Sequence, residues 1–279
     1  MIRDEFPNAD LQSSRFITHG WDHFVLITND KIIFRTPKDE RYSLKFNNEI
    51  KLLNCLSPRL NLGVPQYKYI SQSGKFAGYD LLEGKEISQN TFKGLSKKNK
   101  SLIVDELAGF LTQLHNIPTD KLYDLCVETI DNDTEFKNLN KKIKKILFPL
   151  LKPEEQKLIR IYLSKLKDIF EHNYEKVLIH NDLSGEHILW DKKNNKVNVI
   201  DFSDRGIGDP AQDFTGFFEF GDEFPQMVYD KYKGKKDISF LYRAKLYFQR
   251  IPLYIMMDSQ QGYPCTFEEG YEMFGKLYK

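Results

Sequence analysis

The chain has 279 residues and carries 41 Lys and Arg against 40 Asp and Glu, which leaves a formal net charge of +1. Its 41% hydrophobic and 14% aromatic residues can fill a sizeable core, and this composition excludes an intrinsically disordered chain. A charge so close to zero creates no overall field that attracts a polyanion, so nucleic acid is not an expected partner. The length fits two domains or one enzyme with two lobes.

The cysteines and the apolar runs indicate the compartment. Cys55, Cys126 and Cys265 include no CxxC pair, which argues against a disulfide framework and against a cysteine-built zinc site. The N-terminal stretch carries charges where a signal peptide needs apolar residues. The longest apolar runs are far shorter than the ~20 residues that cross a bilayer. We therefore expect a cytoplasmic protein with no membrane partner.

The first part of the chain predicts strands around one helix. Thr28-Asn29-Asp30 separates two β-rich runs, which is typical of a hairpin. Apolar residues at helical spacing follow and stop before Pro58, because the residue before a proline disfavours the helical conformation. The expected elements are strands at 24–27, 31–35, 66–70 and 76–82 and a helix at 42–56.

Beyond Glu83-Gly84-Lys85 the pattern becomes mainly helical. We therefore expect a small strand-rich N-terminal lobe over 1–82 and a larger helical C-terminal lobe over 83–279. Two lobes joined by a short hinge form a cleft, and such clefts hold ligands. The expected elements of the second lobe are helices at 101–116, 136–147 and 154–173, short strands at 177–179, 188–190 and 197–200, and further helices from Pro210 onward.

The segment 178–214 carries the residues with catalytic potential. Asp182 follows one apolar run within His180-x-Asp182, and Asp201 follows another. A carboxylate on a loop can accept a hydroxyl proton, and a second carboxylate returning across a hairpin can hold a divalent metal ion. Phosphoryl transfer needs such a pair, because the protein mainly positions the nucleophile and neutralises charge through Mg²⁺. Mg²⁺ prefers oxygen ligands and usually takes one or two protein carboxylates.

Two motifs in this segment resemble the aminoglycoside phosphotransferase family. HNDLSGEHILWD is especially similar to H-N-D-F-S-x-x-H-I-L of the aminoglycoside 2″-phosphotransferases, and IDFSDRGIGDPAQDF resembles I-D-F-G-D-x-x-x-x-D-P-x-x-D-F. The resemblance implies an α+β, bilobal protein-kinase-like fold with a small antiparallel-sheet N-lobe and a larger, mostly helical C-lobe. It implies Asp182 as the catalytic aspartate and Asp201 as the metal-binding one. The resemblance also implies His187 as a second metal ligand, although imidazole is a softer ligand than Mg²⁺ prefers.

The resemblance extends to a nucleotide site for ATP or GTP, with neither preferred. Gly20-Trp21-Asp22-His23 is similar to the family's loop over the phosphates, and Arg35 lies on a strand similar to the phosphate-contacting one. Glu49 is placed as the ion-pair partner of that cation. The stretch that contains Asp80 and Leu82 resembles the hinge that binds the base through its backbone. Arg35 replaces the lysine of the 2″ enzymes, and Ser203 replaces the glycine after Asp201-Phe202.

The acceptor is predicted from acids in the second lobe. Glu219, Asp222 and Glu223 correspond to an acidic cluster that helps the 2″ enzymes bind aminoglycosides, and carboxylates attract a polycation most strongly at low salt. The alternative is that they are ordinary surface acids. Tyr247 and Tyr254 are expected in the core. The resemblance thus predicts an aminoglycoside kinase, with a kinase of another small alcohol (a macrolide, an amino alcohol or a sugar) or a nucleotide-binding pseudokinase as alternatives.

Overall fold

A computed structural model describes residues 2–12, 14–18, 22–29, 31–172 and 174–279. After the short helix α1 (Ile2–Glu5), the first part of the chain forms an antiparallel sheet in the order β1-β2-β3-β5-β4. Residues alternate between its faces, so Ile32 and Phe34 pack with Phe76 on one side while Arg35 points to the other. The strands are β1 (Arg15–Ile17), β2 (His23–Ile27), β3 (Ile32–Pro37), β4 (Tyr69–Ile70) and β5 (Ala77–Asp80).

Helix α2 (Ser43–Leu56) crosses the Arg35 side of this sheet and confirms the predicted helix at 42–56. Phe46, Leu52 and Leu53 are buried and belong to the main hydrophobic core. Glu49 is buried on the same helix, and its carboxylate reaches Arg35 of β3. The helical repeat therefore places the Glu49 carboxylate on the same buried side of α2 as its apolar residues.

The chain leaves the first sheet through residues 81–84. Strand β6 (Lys85–Glu86) then pairs with β8 (Ile188–Asp191), which pairs in turn with β9 (Lys196–Val199). The Asn198 amide donates to the Glu83 carbonyl oxygen at 2.7 Å, which ties the connection to this second sheet. The division into lobes at residue 83 falls on this connection and stays a prediction.

Helices form most of the remaining chain and share the main core. The amphipathic helix α4 (Lys97–His115) buries Leu107, Phe110 and Leu111, and the predicted helix at 101–116 is thereby confirmed. The helices are α3 (Gln89–Gly94), α4 (Lys97–His115), α5 (Asp120–Tyr123), α6 (Asn132–Lys142), α7 (Pro153–Phe170), α8 (Glu223–Lys231), α9 (Phe240–Phe248), α10 (Ile251–Ser259) and α11 (Phe267–Leu277). In the described part of the chain, none of them has the length and apolar character that a membrane span requires.

Two loops that carry the predicted catalytic residues lie side by side. One follows β7 (Val177–Ile179) and the other lies between β9 and β10 (Gly206–Gly208), and β7 and β10 pair antiparallel. Asn181 and Asp201 have φ angles of 69° and 61°, a left-handed conformation that Asn and Asp adopt more readily than other non-glycine residues. The pairing of β7 with β10 therefore brings the two carboxylates of the motif together.

Several local expectations differ from the structure. The strand expected at 66–70 is reduced to Tyr69–Ile70. The helix expected at 136–147 begins at Asn132, where Asp131 caps it, and ends in a π-helical turn, Ile143–Leu147. Strands β1, β6 and β10 were not predicted, because strands of two or three residues are set by their partners more than by their own sequence.

Candidate active site

The loop after β7, residues 180–187, is fixed at its start by a buried carboxylate. Asp213 accepts hydrogen bonds from the backbone N–H groups of His180, at 2.9 Å, and Asn181, at 2.7 Å. The Nε2 atom of His115 lies 3.0 Å from the same carboxylate. The ring of His180 is buried, and its Nε2 lies 3.0 Å from the carbonyl oxygen of Ile200. His180 and Asp213 thus hold the loop in place.

Asp182 projects from this loop into a cleft, with 48% of its side chain exposed. Loss of hydration in the cleft, followed by the nearby Asp204 and Asp201 carboxylates, raises the pKa of Asp182 to about 6, against an opposing effect of His187. The Nδ1 atom of His187 lies 2.7 Å from the Asp182 carbonyl oxygen and 3.3 Å from its Oδ2. A carboxylate with this pKa can take up a proton near neutral pH.

In the described part of the chain, the hydrogen bonds to the Asp201 carboxylate all reach its Oδ1 atom. Its Oδ1 accepts hydrogen bonds from the backbone N–H and the hydroxyl of Ser203 and from Nη2 of Arg35, at 3.3 Å. Its Oδ2 lies 3.9 Å from Nε2 of His187. Burial alone would raise the pKa of Asp201, but the Arg35 guanidinium and the Ser203 hydrogen bonds hold it well below its usual range. Asp201 is therefore ionised, and Ser203 acts as its hydrogen-bond donor.

Arg35 is buried and organises the charges around Asp201. Its Nη1 donates to Glu49 Oε1 at 2.7 Å and to the Tyr67 hydroxyl at 3.1 Å. Its Nη2 lies 3.1 Å from Nδ1 of His23 and also contacts Asp201. A guanidinium fork presents these donors together, which a single lysine ammonium does not. The geometry therefore accounts for arginine at this position.

His23 is a buried imidazole next to that guanidinium. Burial, and then the positive charge of Arg35, lowers the pKa of His23 to about 3. The ring is thus neutral, and Nδ1 accepts a hydrogen bond from Arg35 while Nε2 carries the ring hydrogen. His23 also packs against the Phe46 ring, with a centroid distance of 5.0 Å.

Two cavities meet at the loop that carries Asp182. The first, the Arg35 cavity, has a volume of about 630 Å³. The second, the Glu219 cavity, has a volume of about 440 Å³. Asp182, Ser184 and Glu186 line both. The Arg35 cavity is also lined by Asp22, His23, Arg35, His187, Asp201 and Asp204, and the Glu219 cavity by Gln212, Glu219, Tyr247, Arg250, Ile251 and Tyr254.

Comparison with known proteins agrees with this geometry. The model of the phosphotransferase enzyme family matches residues 13–244, which is most of the chain. The chain belongs to the phosphotransferase enzyme family. This confirms the predicted class of enzyme, a phosphotransferase with an alcohol group as acceptor.

Solved structures similar to this phosphotransferase confirm the kinase-like α+β fold. An aminoglycoside 2″-phosphotransferase in complex with GDP and kanamycin shares 23% identity and a TM-score of 0.86, over 99% of this chain and 96% of that one. An ADP-bound aminoglycoside 2″-phosphotransferase shares 24% identity and a TM-score of 0.73, over 100% and 95%. A macrolide 2′-phosphotransferase from Brachybacterium faecium, solved as the apoenzyme, shares 16% identity and a TM-score of 0.68, over 98% and 95%.

The donor chemistry around Asp201 fits Mg²⁺. The carboxylate is ionised, 37% of its side chain is exposed to the Arg35 cavity, and Oδ2 is turned away from Arg35 toward His187. Among the described residues, no group of three or more His, Cys, Asp or Glu side chains forms a closed metal cage. Mg²⁺ in phosphotransferases takes few protein ligands and completes its shell with water and phosphate, so an open arrangement of this kind suits it.

The predicted nucleotide-site residues lie in different relations to the Arg35 cavity of the phosphotransferase. Arg35 lines it, and Glu49 lies behind Arg35 without reaching the lining. Asp80 ends β5, and its carboxylate contacts Lys68 and, at 3.3 Å, the Tyr69 hydroxyl. Leu82 is half-buried in the connection between the sheets. Gly20 lies outside the described residues.

Of the predicted acceptor residues, one lines the Glu219 cavity. Glu219 is half-buried there, whereas Asp222 is 79% exposed, forms an ion pair with Lys245 and lies outside the lining. Glu223, also outside the lining, is exposed at the start of α8. The sequence pattern therefore groups three acids that the fold separates. Their role toward an acceptor stays a prediction.

Other residues of the site were not predicted from the sequence. Tyr247 is buried, as expected for a core residue, but its hydroxyl donates to Asp209 at 2.7 Å at the base of the Glu219 cavity. Tyr254, also expected in the core, is half-buried and lines that cavity. Glu186, which lines both cavities, was also not predicted, although it lies inside the matched HNDLSGEH motif two residues after Ser184.

Proposed function

We propose that this phosphotransferase transfers the γ-phosphoryl group of ATP or GTP to a hydroxyl of an aminoglycoside, with Mg²⁺ as cofactor. The observation that carries the proposal is the position of Asp182, which lines both the Arg35 cavity and the Glu219 cavity. A carboxylate at that boundary can contact an acceptor hydroxyl on one side while the phosphoryl donor lies on the other. Such positioning supplies much of the catalysis in phosphoryl transfer.

In the proposed reaction, the nucleotide occupies the Arg35 cavity and the acceptor hydroxyl enters from the Glu219 cavity. The acceptor oxygen forms a bond to the γ-phosphorus while the bond from that phosphorus to the β–γ bridging oxygen breaks, and the nucleoside diphosphate leaves. The hydroxyl proton passes to a carboxylate oxygen of Asp182. Its raised pKa makes it a better proton acceptor than an ordinary aspartate.

The charged residues of the Arg35 cavity support a triphosphate donor. Asp201 and His187 would hold Mg²⁺, which when bound neutralises negative charge on the phosphates. Arg35 keeps Asp201 oriented from the side opposite His187. Ser203 donates to the same Oδ1 atom and leaves Oδ2 open toward the cavity.

The Glu219 cavity supports a cationic acceptor. Asp182, Glu186 and Glu219 place carboxylates on its wall, and these attract ammonium groups. Similar proteins were solved with kanamycin, gentamicin or streptomycin. A macrolide is the second candidate, because Ile251, Tyr254 and Ile255 give the same cavity an apolar side.

A phosphate-transfer panel tests the proposal. ATP and GTP, labelled at the γ-position, are each incubated with kanamycin, gentamicin, streptomycin and a macrolide, with and without Mg²⁺. We expect Mg²⁺-dependent labelling of at least one aminoglycoside by the parent enzyme and none above background by Asp182→Asn. Labelling of the macrolide alone, or of no antibiotic, would overturn the aminoglycoside assignment.

A further inference from the structure

The turn that carries Glu219 is packed directly against the catalytic loop. It is a 3₁₀ helix, Gly216–Phe220, and its first residue touches the loop that contains Asp182. A Cβ atom added to Gly216 would lie 2.3 Å from the carbonyl oxygen of Leu183, so only glycine permits this approach. The turn and the loop are thus in direct backbone contact.

Glu219 makes a hydrogen bond to the middle of the loop. The N–H of Gly185 donates to its Oε2 at 3.3 Å. Gly185 is itself confined, because an added Cβ would lie 2.3 Å from the carbonyl oxygen of Ile87, whose N–H donates to the Gly185 carbonyl oxygen at 3.0 Å. The first part of the loop is held by Asp213, and Glu219 holds the part between Asp182 and His187.

The electrostatic surroundings of Glu219 favour a second, positively charged partner for its carboxylate. Burial raises the pKa of Glu219, the Gly185 hydrogen bond opposes that rise, Glu186 and Asp182 add to it, and His187 opposes it. Oε2 is used by Gly185, while the carboxylate faces the Glu219 cavity together with Asp182 and Glu186. Arg250 also lines the cavity, but its guanidinium donates to Glu135 and Gln212. A half-buried carboxylate is stabilised by a cation of its own, and the ammonium of an acceptor would supply one.

We propose that Glu219 is a positioning residue, which holds Gly185, and through it Asp182, with the same carboxylate that the proposed function assigns to an ammonium group of the acceptor. The ammonium part rests on the proposed aminoglycoside kinase function, and the positioning part does not. Glu219 therefore links occupation of the acceptor cavity to the geometry of the catalytic loop.

Two variants separate these roles. In Glu219→Gln the amide oxygen can still accept from Gly185, but the charge is lost; in Glu219→Ala both are lost. Glu171→Gln, a change at an exposed residue directly after α7 whose carboxylate pairs with Lys167, is the matched control. Thermal melts establish that each variant is folded.

The first measurement is Mg²⁺-dependent nucleotide hydrolysis without acceptor, where water replaces the hydroxyl and no ammonium is present. Glu219→Ala should lower the rate about tenfold, the effect of one lost hydrogen bond to a charged group, and Glu219→Gln should stay within about threefold of the parent. With kanamycin, KM should rise about tenfold in both variants, whereas kcat should fall only in Glu219→Ala. Equal kcat values for the two variants would overturn the positioning role.

The second measurement does not need turnover. Amide hydrogen exchange of the 180–188 segment should become faster in Glu219→Ala and stay at the parent rate in Glu219→Gln and Glu171→Gln. Exchange at the parent rate in all three variants would refute the contact with Gly185. One outcome is that the parent enzyme fails to phosphorylate kanamycin while exchange and hydrolysis in the Glu219 variants change as expected. In that case the positioning role stands and the aminoglycoside assignment falls. If kanamycin is phosphorylated normally and exchange does not change, the aminoglycoside assignment stands and the positioning role falls.

Discussion

The two cavities that meet at Asp182 are built in different ways. In the Arg35 cavity, charged groups fix one another: Arg35 contacts Glu49 and Asp201 through opposite ends of its guanidinium, and Ser203 holds the same Asp201 oxygen. In the Glu219 cavity, the described hydrogen bond of Glu219 comes from one backbone N–H, and apolar groups form much of the wall. Charged groups that fix one another suit a triphosphate, whose structure does not change from one reaction to the next. A wall of mixed polar and apolar groups suits acceptors of differing structure.

The largest expected effect lies where the cavities join. Asp182→Asn keeps the size of the side chain but removes the proton acceptor, so kcat should fall by about 10²–10⁴-fold. Nucleotide affinity, measured by calorimetry with Mg²⁺, should change little, because Asp182 is assigned to the acceptor proton. Asp168→Asn, an exposed change on α7, is the matched control. Turnover near the parent value in Asp182→Asn would remove Asp182 from its catalytic role.

The second effect tests how strongly the charged residues of the Arg35 cavity stabilise one another. Arg35→Met leaves the buried Glu49 carboxylate without its cation, which should lower the free energy of unfolding by about 3–5 kcal/mol in urea titrations. The double variant Arg35→Met, Glu49→Gln should recover part of that loss, because no buried charge is left uncompensated.

Arg41→Met is the comparison for a surface ion pair. Arg41 is 80% exposed beside Asp39, so its loss should change the free energy of unfolding far less than the loss of Arg35 does. If Arg35→Met were as mild as Arg41→Met, the charges of the Arg35 cavity would not depend on one another as their distances indicate.

The third effect is the pH dependence of stability from His23. Its pKa is about 3 in the folded chain against an ordinary value of 6.5, so between these values the unfolded chain binds a proton that the folded chain does not. Stability should therefore fall as the pH drops below 6.5, by about 2 kcal/mol at pH 5 from this group. Above pH 6.5 His23 contributes no pH dependence.

His23→Gln isolates this contribution, since glutamine does not titrate and its amide oxygen can still accept from Arg35. The free energy of unfolding of the parent should decline more steeply than that of His23→Gln between pH 7 and pH 5. Parallel curves for the two proteins would show that His23 titrates in the folded chain as it does in the unfolded chain, which would contradict a lowered pKa.

The sequence predicted the Arg35 side far better than the acceptor side, for physical reasons. Asp182 and Asp201 belong to short motifs joined by one hairpin, and Arg35 and Glu49 lie fourteen residues apart on a strand and the next helix. The resemblance to family motifs predicted these pairs, and apolar residues at helical spacing predicted α2 and α4. Whether these residues act as predicted awaits the variants above.

The Glu219 cavity depends on contacts that local patterns do not encode. Its lining comes from three separate stretches, 181–186, 212–219 and 247–255, which tertiary packing brings together. Tyr254 has the spacing of a core residue, and only the fold exposes one side of it to the cavity. Likewise, β6 pairs with β8, which lies about a hundred residues later in the chain. A strand of two residues is too short for its sequence to predict that pairing.

The smallest expected effect separates the acids that the sequence grouped. Asp222 is exposed and paired with Lys245 outside the Glu219 cavity, so Asp222→Asn should change KM for kanamycin by less than about threefold, the range of a surface charge. Glu219→Gln should raise the same KM about tenfold, because its carboxylate is half-buried in the cavity wall. If Asp222→Asn raised KM as much as Glu219→Gln, the acceptor would extend beyond the cavity to the start of α8, and both cavities would then depend on charge to a similar degree.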